Sequence, residues 1–285
     1  MTIAEALRIA TRKLIDAGSE SAALDAAVLL RHLLGWSRTD LLVRRDEPLS
    51  AEQQRCFDAL IARRADREPV AYIVGTREFL GLDFAVGPGA LVPRPETEQL
   101  VEWAATWLAG KDAAVAVDIG TGSGAIAIGL IHFAPPGALG KVIAIDPSEE
   151  ALAWAQVNAM ALAPEAPLEL VLGSLLDPVQ VPVDLVLANL PYLTPEQTDS
   201  NPDLACEPRS ALVSGTDGLD LIRALLIDLP RVVKHRFAAI LELDPSQAST
   251  VAHLSADQFP DARVSILNDL SGRARFVTIE RGESG

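Results

Sequence analysis

The chain has 285 residues, 49% of them hydrophobic and 22% charged, which is enough for a well-packed core and for two domains of unequal size. A formal net charge of −15 speaks against a protein that grips nucleic acid by its phosphates, since that binding needs Lys and Arg to displace counterions. Two cysteines, Cys56 and Cys206, far apart and in unrelated contexts, support neither a disulfide framework nor a zinc site.

The charge is unevenly spread. Residues 1–70 carry 11 basic and 11 acidic side chains, leaving 13 basic against 28 acidic for residues 71–285, so a neutral front module and an acidic body are expected. The N-terminus reads as an amphipathic helix rather than a signal sequence. The longest apolar stretch, Ala113 to Ala134, is interrupted by Asp118 and four glycines and cannot span a membrane. A cytoplasmic monomer is expected.

Thr2 with Glu5 fits a capping box ahead of apolar positions at helical spacing (Ile3, Ala6, Leu7, Ala10, Leu14), and Gly18 stops the run. A second helix is predicted from Ser21 to Leu34, ended by Gly35, and a short third near Thr39–Arg45. Ser50 with Gln53 caps a fourth helix reaching about Ala65. Residues 1–66 therefore read as a small helical bundle. Val70 to Val92 is rich in β-branched and aromatic residues broken by Gly75, Gly81 and Gly87, so residues 67–95 read as a β-hairpin linker. Pro93-Arg94-Pro95 stops the strand, and Glu96–Leu108 reads as a helix.

From Ala113 strands and helices alternate: AVAVDIG, a helix from Ala125, KVIAID, a helix over Glu149–Met160, LELVLG, VDLVLAN, a helix near Leu219–Leu229, and FAAILEL. This βαβ rhythm predicts a mostly parallel sheet covered by helices on both faces. ARVSILND and ARFVTIE, separated only by LSGR, predict an antiparallel pair at the sheet edge. Residues 96–285 thus form an α/β, Rossmann-like domain.

Asp118-Ile119-Gly120-Thr121-Gly122-Ser123-Gly124 closes the first strand of this region and opens a helix, and its glycines let backbone N–H groups approach a ligand. Gly120-x-Gly122-x-x-Ala125 also satisfies the relaxed dinucleotide fingerprint, so the loop is compatible with NAD as well as with S-adenosylmethionine. Asp146 ends the next strand, 22 residues beyond Gly124, where a carboxylate can accept hydrogen bonds from both ribose hydroxyls of either molecule. The competing reading of Asp146 is a helix cap before Pro147.

Asn189-Leu190-Pro191-Tyr192 follows the apolar strand Val183–Ala188, at the carboxyl end where open α/β sheets bind ligands. An Asn oxygen and a neighbouring carbonyl can accept both hydrogens of an NH2 group and so orient a sluggish, delocalised nitrogen. Pro191 stiffens the loop, and Tyr192 offers a flat face to a planar acceptor group. A dehydrogenase has no evident need of this tetrapeptide, which tips the cofactor to S-adenosylmethionine. His32, His132, His235 and His253 lack metal-ligand spacing, and no metal is expected.

Further stretches carry a resemblance: Arg67 to Gly75, Glu78-Phe79-Leu80-Gly81-Leu82, Leu91-Val92-Pro93-Arg94-Pro95-Glu96-Thr97-Glu98, Glu207-Pro208-Arg209-Ser210-Ala211-Leu212 with Gly218-Leu219, and Asp269-Leu270-Ser271-Gly272-Arg273. Over nearly its full length the chain resembles the PrmC/HemK family of release factor glutamine methyltransferases. The resemblance implies a helical domain that engages the release factor and a seven-stranded domain that methylates the glutamine of a Gly-Gly-Gln motif. It implies that Gly120, Thr121, Gly122, Ser123, Gly124 and Asp146 hold S-adenosylmethionine and that Leu175 packs near the adenine. It further implies that Asn189, Leu190, Pro191 and Tyr192 hold the glutamine. Two departures stand out: Leu190 where the family usually has Pro, and Asp244 where it tends to have Gly. Asn-Leu-Pro-Tyr also resembles adenine dimethyltransferases, so an adenine-N6 methyltransferase acting on RNA or DNA is the alternative. The charge and the position of the helical module oppose it. Arg94, Glu96 and Glu207 either shape the acceptor pocket or form an ion-pair brace.

Overall fold

Each capping box read in the sequence opens a helix. Glu5 N–H donates to the Thr2 hydroxyl and Thr2 N–H to the Glu5 carboxylate, starting α1 (Ile3–Asp16). Ser50 and Gln53 repeat the exchange at α4 (Ala51–Ala65). Between them lie α2 (Ala22–Leu34), closed by Gly35 in the left-handed conformation, and α3 (Arg38–Val43). The computed structural model describes residues 1–282 and divides the chain into two units, Met1–Thr76 with Pro202–Cys206, and Arg77–Asn201 with the chain from Glu207 onward.

The helical unit buries Ile3, Leu14, Leu29, Leu30, Phe57 and Ile61 against one another. Beside this apolar core Arg64 Nε donates to Asp25 at 2.8 Å, and Asp25 also accepts from the Ser19 and Ser21 hydroxyls. Both charges are buried, and these extra donors satisfy the carboxylate lone pairs. The segment Pro202–Cys206 belongs to this unit, where Asp203 pairs with Arg67 at 3.2 Å.

One expectation is corrected here. Val70–Val74 is a short helix, α5, and not the first strand of a hairpin. Gly75, at φ 82°, ends it, and Val70, Ile73 and Val74, at helical spacing, pack on the helical core. Tertiary burial overrides the strand preference of its β-branched residues. The helical unit consequently runs to Thr76 rather than stopping at residue 66. The hairpin itself is shorter than expected: β1 (Thr76–Phe79) and β2 (Leu82–Ala85) pair across Leu80-Gly81, both with positive φ as a type I′ turn demands.

In the second unit Pro95–Thr97 forms a 3₁₀ turn that runs into α6 (Glu98–Trp107). There follow β3 (Ala114–Ile119), α7 (Ala125–Phe133), β4 (Leu139–Asp146), α8 (Glu149–Leu162), β5 (Leu168–Leu172) and β6 (Val183–Ala188). Then come α9 (Pro195–Asp199), α10 (Asp220–Val232), β7 (Val233–Glu242), α11 (Ala248–Gln258), β8 (Arg263–Asn268) and β9 (Ala274–Arg281). Seven strands form one sheet in the order β5-β4-β3-β6-β7-β9-β8. The first five are parallel, and β9 runs antiparallel to both β7 and β8, the latter pairing being what the short Asp269–Arg273 connection requires.

Side chains alternate across the sheet. Val117 and Ile119 of β3 join Leu225 and Leu229 of α10 and Val251 of α11 in one apolar cluster. Asp118, between them, faces the other layer, where its carboxylate accepts from Ala127 N–H in α7. Strand order reverses between β3 and β6. Their carboxyl ends therefore part there and leave a crevice, the place where parallel sheets take ligands.

Candidate active site

The glycine loop turns out of β3 at Ile119. Gly120, Gly122 and Gly124 have φ of 72°, 56° and 82°, a region in which a side chain is strained. A Cβ at Gly122 would meet no atom within 4 Å, because that face of the loop opens on the crevice. Asp118 holds the loop from beneath: it accepts from the Thr121 hydroxyl at 2.6 Å and from Ala127 N–H at 3.1 Å. Complete burial pushes the Asp118 carboxyl up to about 7, against those two donors and with help from the Asp146 charge. Asn158 holds the loop from the side, donating through Nδ2 to the Ser123 and Ala85 carbonyls while its Oδ1 accepts from Ala85 N–H. One buried amide thereby ties β2, the glycine loop and α8 together.

Asp146 ends β4 opposite this loop. One carboxylate oxygen accepts from Gly122 N–H and the other from Ser148 N–H, each at 2.9 Å. Burial raises its pKa, and the two N–H donors oppose the rise. The bond to Ser148 is that of the helix-cap reading, and the bond to the glycine loop is one the sequence did not suggest. Each oxygen keeps a second lone pair for a ligand.

Loop and carboxylate line one cleft, the concave kind of place that takes a small molecule. Of the residues named from sequence, Gly120, Gly122, Asp146, Leu175, Asn189, Leu190 and Pro191 meet there. Leu175 takes φ 47°, uncommon for a branched side chain, as the chain turns past Gly173-Ser174. Thr121, Ser123 and Gly124 do not line the cleft; the first two support the loop from behind, and Gly124 packs against Ile128 and Ala155. The rim also includes Gly89, Ala90 and Leu91, just ahead of Pro93-Arg94-Pro95, and Pro208, Ser210 and Ala211 from the Glu207–Leu212 stretch. Sequence reasoning gave these no ligand role, although both stretches carry the family resemblance.

Asn189 follows β6 beside the glycine loop. Its Nδ2 donates to the Thr97 hydroxyl at 3.0 Å, which leaves Oδ1 as the end free to accept. The rest of the tetrapeptide is locked by contacts distant in sequence. Gln247 Nε2 donates to the Tyr192 carbonyl at 2.8 Å, Leu193 N–H donates to Leu212, and Ser214 N–H donates back to Leu193. Leu190 sits in the main apolar cluster, so burial supplies restraint that a proline ring would otherwise give. Asp244 takes up the turn before α11, its carboxylate accepting from Ser246 N–H at 2.9 Å and from the Ser246 hydroxyl. Tyr192 does not line the cleft. Its hydroxyl is pushed up to about 12, first by burial and then by the Glu242 carboxylate.

Glu207 is buried and accepts from Arg94 and from Val92 N–H, so this pair forms the brace, while Glu96 is exposed. The sequence gave no hint of Glu242. It lies at the end of β7, buried, with Oε2 lacking a hydrogen-bond partner and its carboxyl pushed up to about 7 by desolvation. The unfolded carboxyl ionises near the ordinary 4.5, so between these values the folded state binds more protons. Stability from this group falls as pH rises from about 4.5 to about 7 and stays low above it. Glu242→Gln is therefore expected to be more stable than the wild type at pH 8, by on the order of 1–3 kcal/mol, and no more stable at acid pH. Thermal denaturation of both proteins at the two pH values checks this.

Among the described residues no cluster of His, Cys, Asp and Glu could hold a metal ion, and no helix is long and apolar enough to cross a membrane. Residues 5–75 match the family described as the PrmC N-terminal domain. The chain is 37% identical over 287 residues to the release factor glutamine methyltransferase of Corynebacterium glutamicum, covering 99% of each chain. It is 40% identical over 280 residues to the same enzyme of Cereibacter sphaeroides, covering 98% of each. A solved ribosomal protein L11 methylase from Lactobacillus delbrueckii subsp. bulgaricus shares the fold, with a TM-score of 0.50 at 23% identity over 70% of this chain and 84% of that one.

Proposed function

Because the chain belongs to the release factor glutamine methyltransferase family, we propose that it methylates the side-chain amide nitrogen, N5, of the glutamine in the Gly-Gly-Gln motif of peptide chain release factors. The observation that carries this reading is the meeting of Asn189, its Oδ1 free to accept, with a glycine loop and a ribose-type carboxylate in one cleft.

The residues fit S-adenosylmethionine. Gly122 presents a face that any side chain would fill, and Asp146 has one lone pair to spare on each oxygen for the two ribose hydroxyls. Leu175 and Leu91 would supply apolar surface for the adenine. When bound, the cofactor supplies a methyl group attached to positively charged sulfur, an electrophile.

The protein's task is to present the nitrogen. Asn189 Oδ1 and the Leu190 carbonyl are assigned as acceptors for the two N–H hydrogens of the substrate amide. Holding the group by its hydrogens leaves the nitrogen lone pair outside the hydrogen bonds. It also stabilises the positive charge that grows on those hydrogens as the new bond forms. Pro191 stiffens the loop, and half-buried Tyr192 follows it. The helical unit is assigned the docking of the release factor body. Its apolar side chains Leu24, Leu42 and Val43 are exposed, which supports a surface for a protein partner. We place this activity in the cytoplasm, with the protein acting as a monomer.

Radiolabelled methyl transfer tests the assignment, with three acceptors in parallel: a release factor, the same factor with its Gly-Gly-Gln glutamine replaced by alanine, and ribosomal RNA. Label is expected in the first alone. Label in RNA, or equal label in both proteins, would overturn the reading in favour of the adenine alternative or another protein site.

A further inference from the structure

The rim of the cleft at Gly89, Ala90 and Leu91 follows closely on the hairpin. Among the described residues β1 and β2 form a two-stranded sheet of their own, so the ladder of the seven-stranded sheet does not fix this stretch. One face of α8 holds it instead. Asn158 is 1% exposed and uses both ends of its amide. Its Oδ1 accepts from Ala85 N–H at 2.7 Å, while Nδ2 donates to the Ala85 carbonyl at 2.9 Å and to the Ser123 carbonyl of the glycine loop at 2.8 Å. Trp154, one turn earlier, donates through Nε1 to the Pro88 carbonyl at 3.0 Å, and its ring lies so close to Gly87 that a Cβ there would overlap it. Residues four apart share a helix face, so the two side chains grip the chain at successive points on its way from β2 into the rim. What an amide adds over an apolar side chain of similar size is direction: it sets Ala85 and Ser123 at defined positions about one buried group.

We propose that Asn158, assisted by Trp154, is the positioning residue that sets cofactor affinity, by holding the Gly89–Leu91 rim and the glycine loop in their bound arrangement before the cofactor arrives. The inference rests on the reading of the cleft as an S-adenosylmethionine site. Neither side chain lines that cleft, but both stretches they join do, through Gly89, Ala90 and Leu91 of the rim and Gly120 and Gly122 of the loop. A site that is assembled only part of the time binds its ligand more weakly by that fraction. Without the amide, rim and loop would move independently, and the cofactor would have to order them as it binds. Once bound, it would hold them itself. Loss of Asn158 therefore falls on affinity and spares turnover at saturating cofactor.

The test combines titration calorimetry with hydrogen exchange in the full-length protein. Asn158→Leu, which fills similar space without a polar group, is expected to raise the S-adenosylhomocysteine Kd by about tenfold or more. Its kcat at saturating S-adenosylmethionine should stay within about threefold of the wild type. The backbone amides of residues 85–91 should exchange about tenfold faster in the free variant than in the free wild type, and return to the wild-type rate once S-adenosylhomocysteine is saturating. Trp154→Phe removes one hydrogen bond and keeps an aromatic ring, so it decides the matter if Asn158→Leu fails to fold. It is expected to raise the Kd by about threefold, with faster exchange over residues 87–91. A folded variant of either kind with wild-type Kd, or exchange that stays fast at saturation, overturns the proposal and leaves Asn158 a residue of the fold alone. If the wild type itself binds no S-adenosylhomocysteine, the reading of the cleft falls, a result distinct from wild-type binding that the substitutions leave unchanged.

Discussion

Asn189→Ala is expected to lower kcat by about 10²–10³-fold while the Kd for S-adenosylmethionine stays within about threefold. The size of the effect follows from the chemistry of the acceptor. An amide nitrogen is a poor nucleophile because its lone pair is shared with the carbonyl, so the reaction depends on holding the NH2 group in place and stabilising charge that appears on it only as the bond forms. The position of Asn189 suits that proposed role. It follows β6 at the point where strand order reverses, its Nδ2 is engaged by Thr97, and it lines the same cleft as Gly120 and Asp146. Removing an acceptor used mainly in the transition state lowers kcat and kcat/KM together. Single-turnover kinetics beside titration calorimetry measure the two quantities. Equal losses of binding and turnover would mean that Asn189 serves the cofactor rather than the amide.

Asp146→Ala should give the opposite pattern, a rise in the S-adenosylmethionine Kd of about 10²-fold or more, with kcat at saturating cofactor much less affected. Two hydrogen bonds from ribose hydroxyls to a carboxylate would be lost together. The Gly122 and Ser148 N–H groups that Asp146 now satisfies would also lose their acceptor. Half-buried donors that lose their acceptor would loosen the glycine loop and add to the loss. Calorimetric titration with S-adenosylhomocysteine, which presents the same ribose, reads the effect without turnover. An unchanged Kd would reduce Asp146 to a helix-start residue that happens to face the loop.

The two halves of the site differ in how well the sequence reveals them. The glycine loop, Asp146 and the Asn189–Tyr192 loop are legible because each is a local pattern at the end of an apolar strand. The capping boxes at Thr2 and Ser50 are legible for the same reason: one residue and another three positions on suffice to start a helix. What the sequence hides is what depends on distant residues meeting. Thr97 and Asn189 lie 92 residues apart and meet only because the start of α6 reaches the end of β6. Gln247, which holds the Tyr192 carbonyl, is hidden likewise. Val70–Val74 misleads in the other direction: its composition is that of a strand, but Pro69, Gly75 and burial on the helical core make it a helix. Thr121 and Ser123 belong to the legible loop yet face away from the cleft, because a loop that presents its backbone to a ligand turns alternate side chains into the protein.

The family's usual proline at position 190 is replaced here without leaving the loop unrestrained. Leu190 is buried, Leu193 bridges to Val213, and Gln247 holds Tyr192, so several long-range contacts take over what one ring does locally.

The claim on which the rest depends is that Asn189 presents its oxygen to the substrate nitrogen. A crystal structure with S-adenosylhomocysteine and a Gly-Gly-Gln peptide tests it most directly. The account predicts the glutamine amide nitrogen within hydrogen-bond distance of Asn189 Oδ1, Nδ2 still on Thr97, and the ribose hydroxyls on Asp146. A glutamine bound elsewhere, or Asn189 turned away from it, would contradict the account.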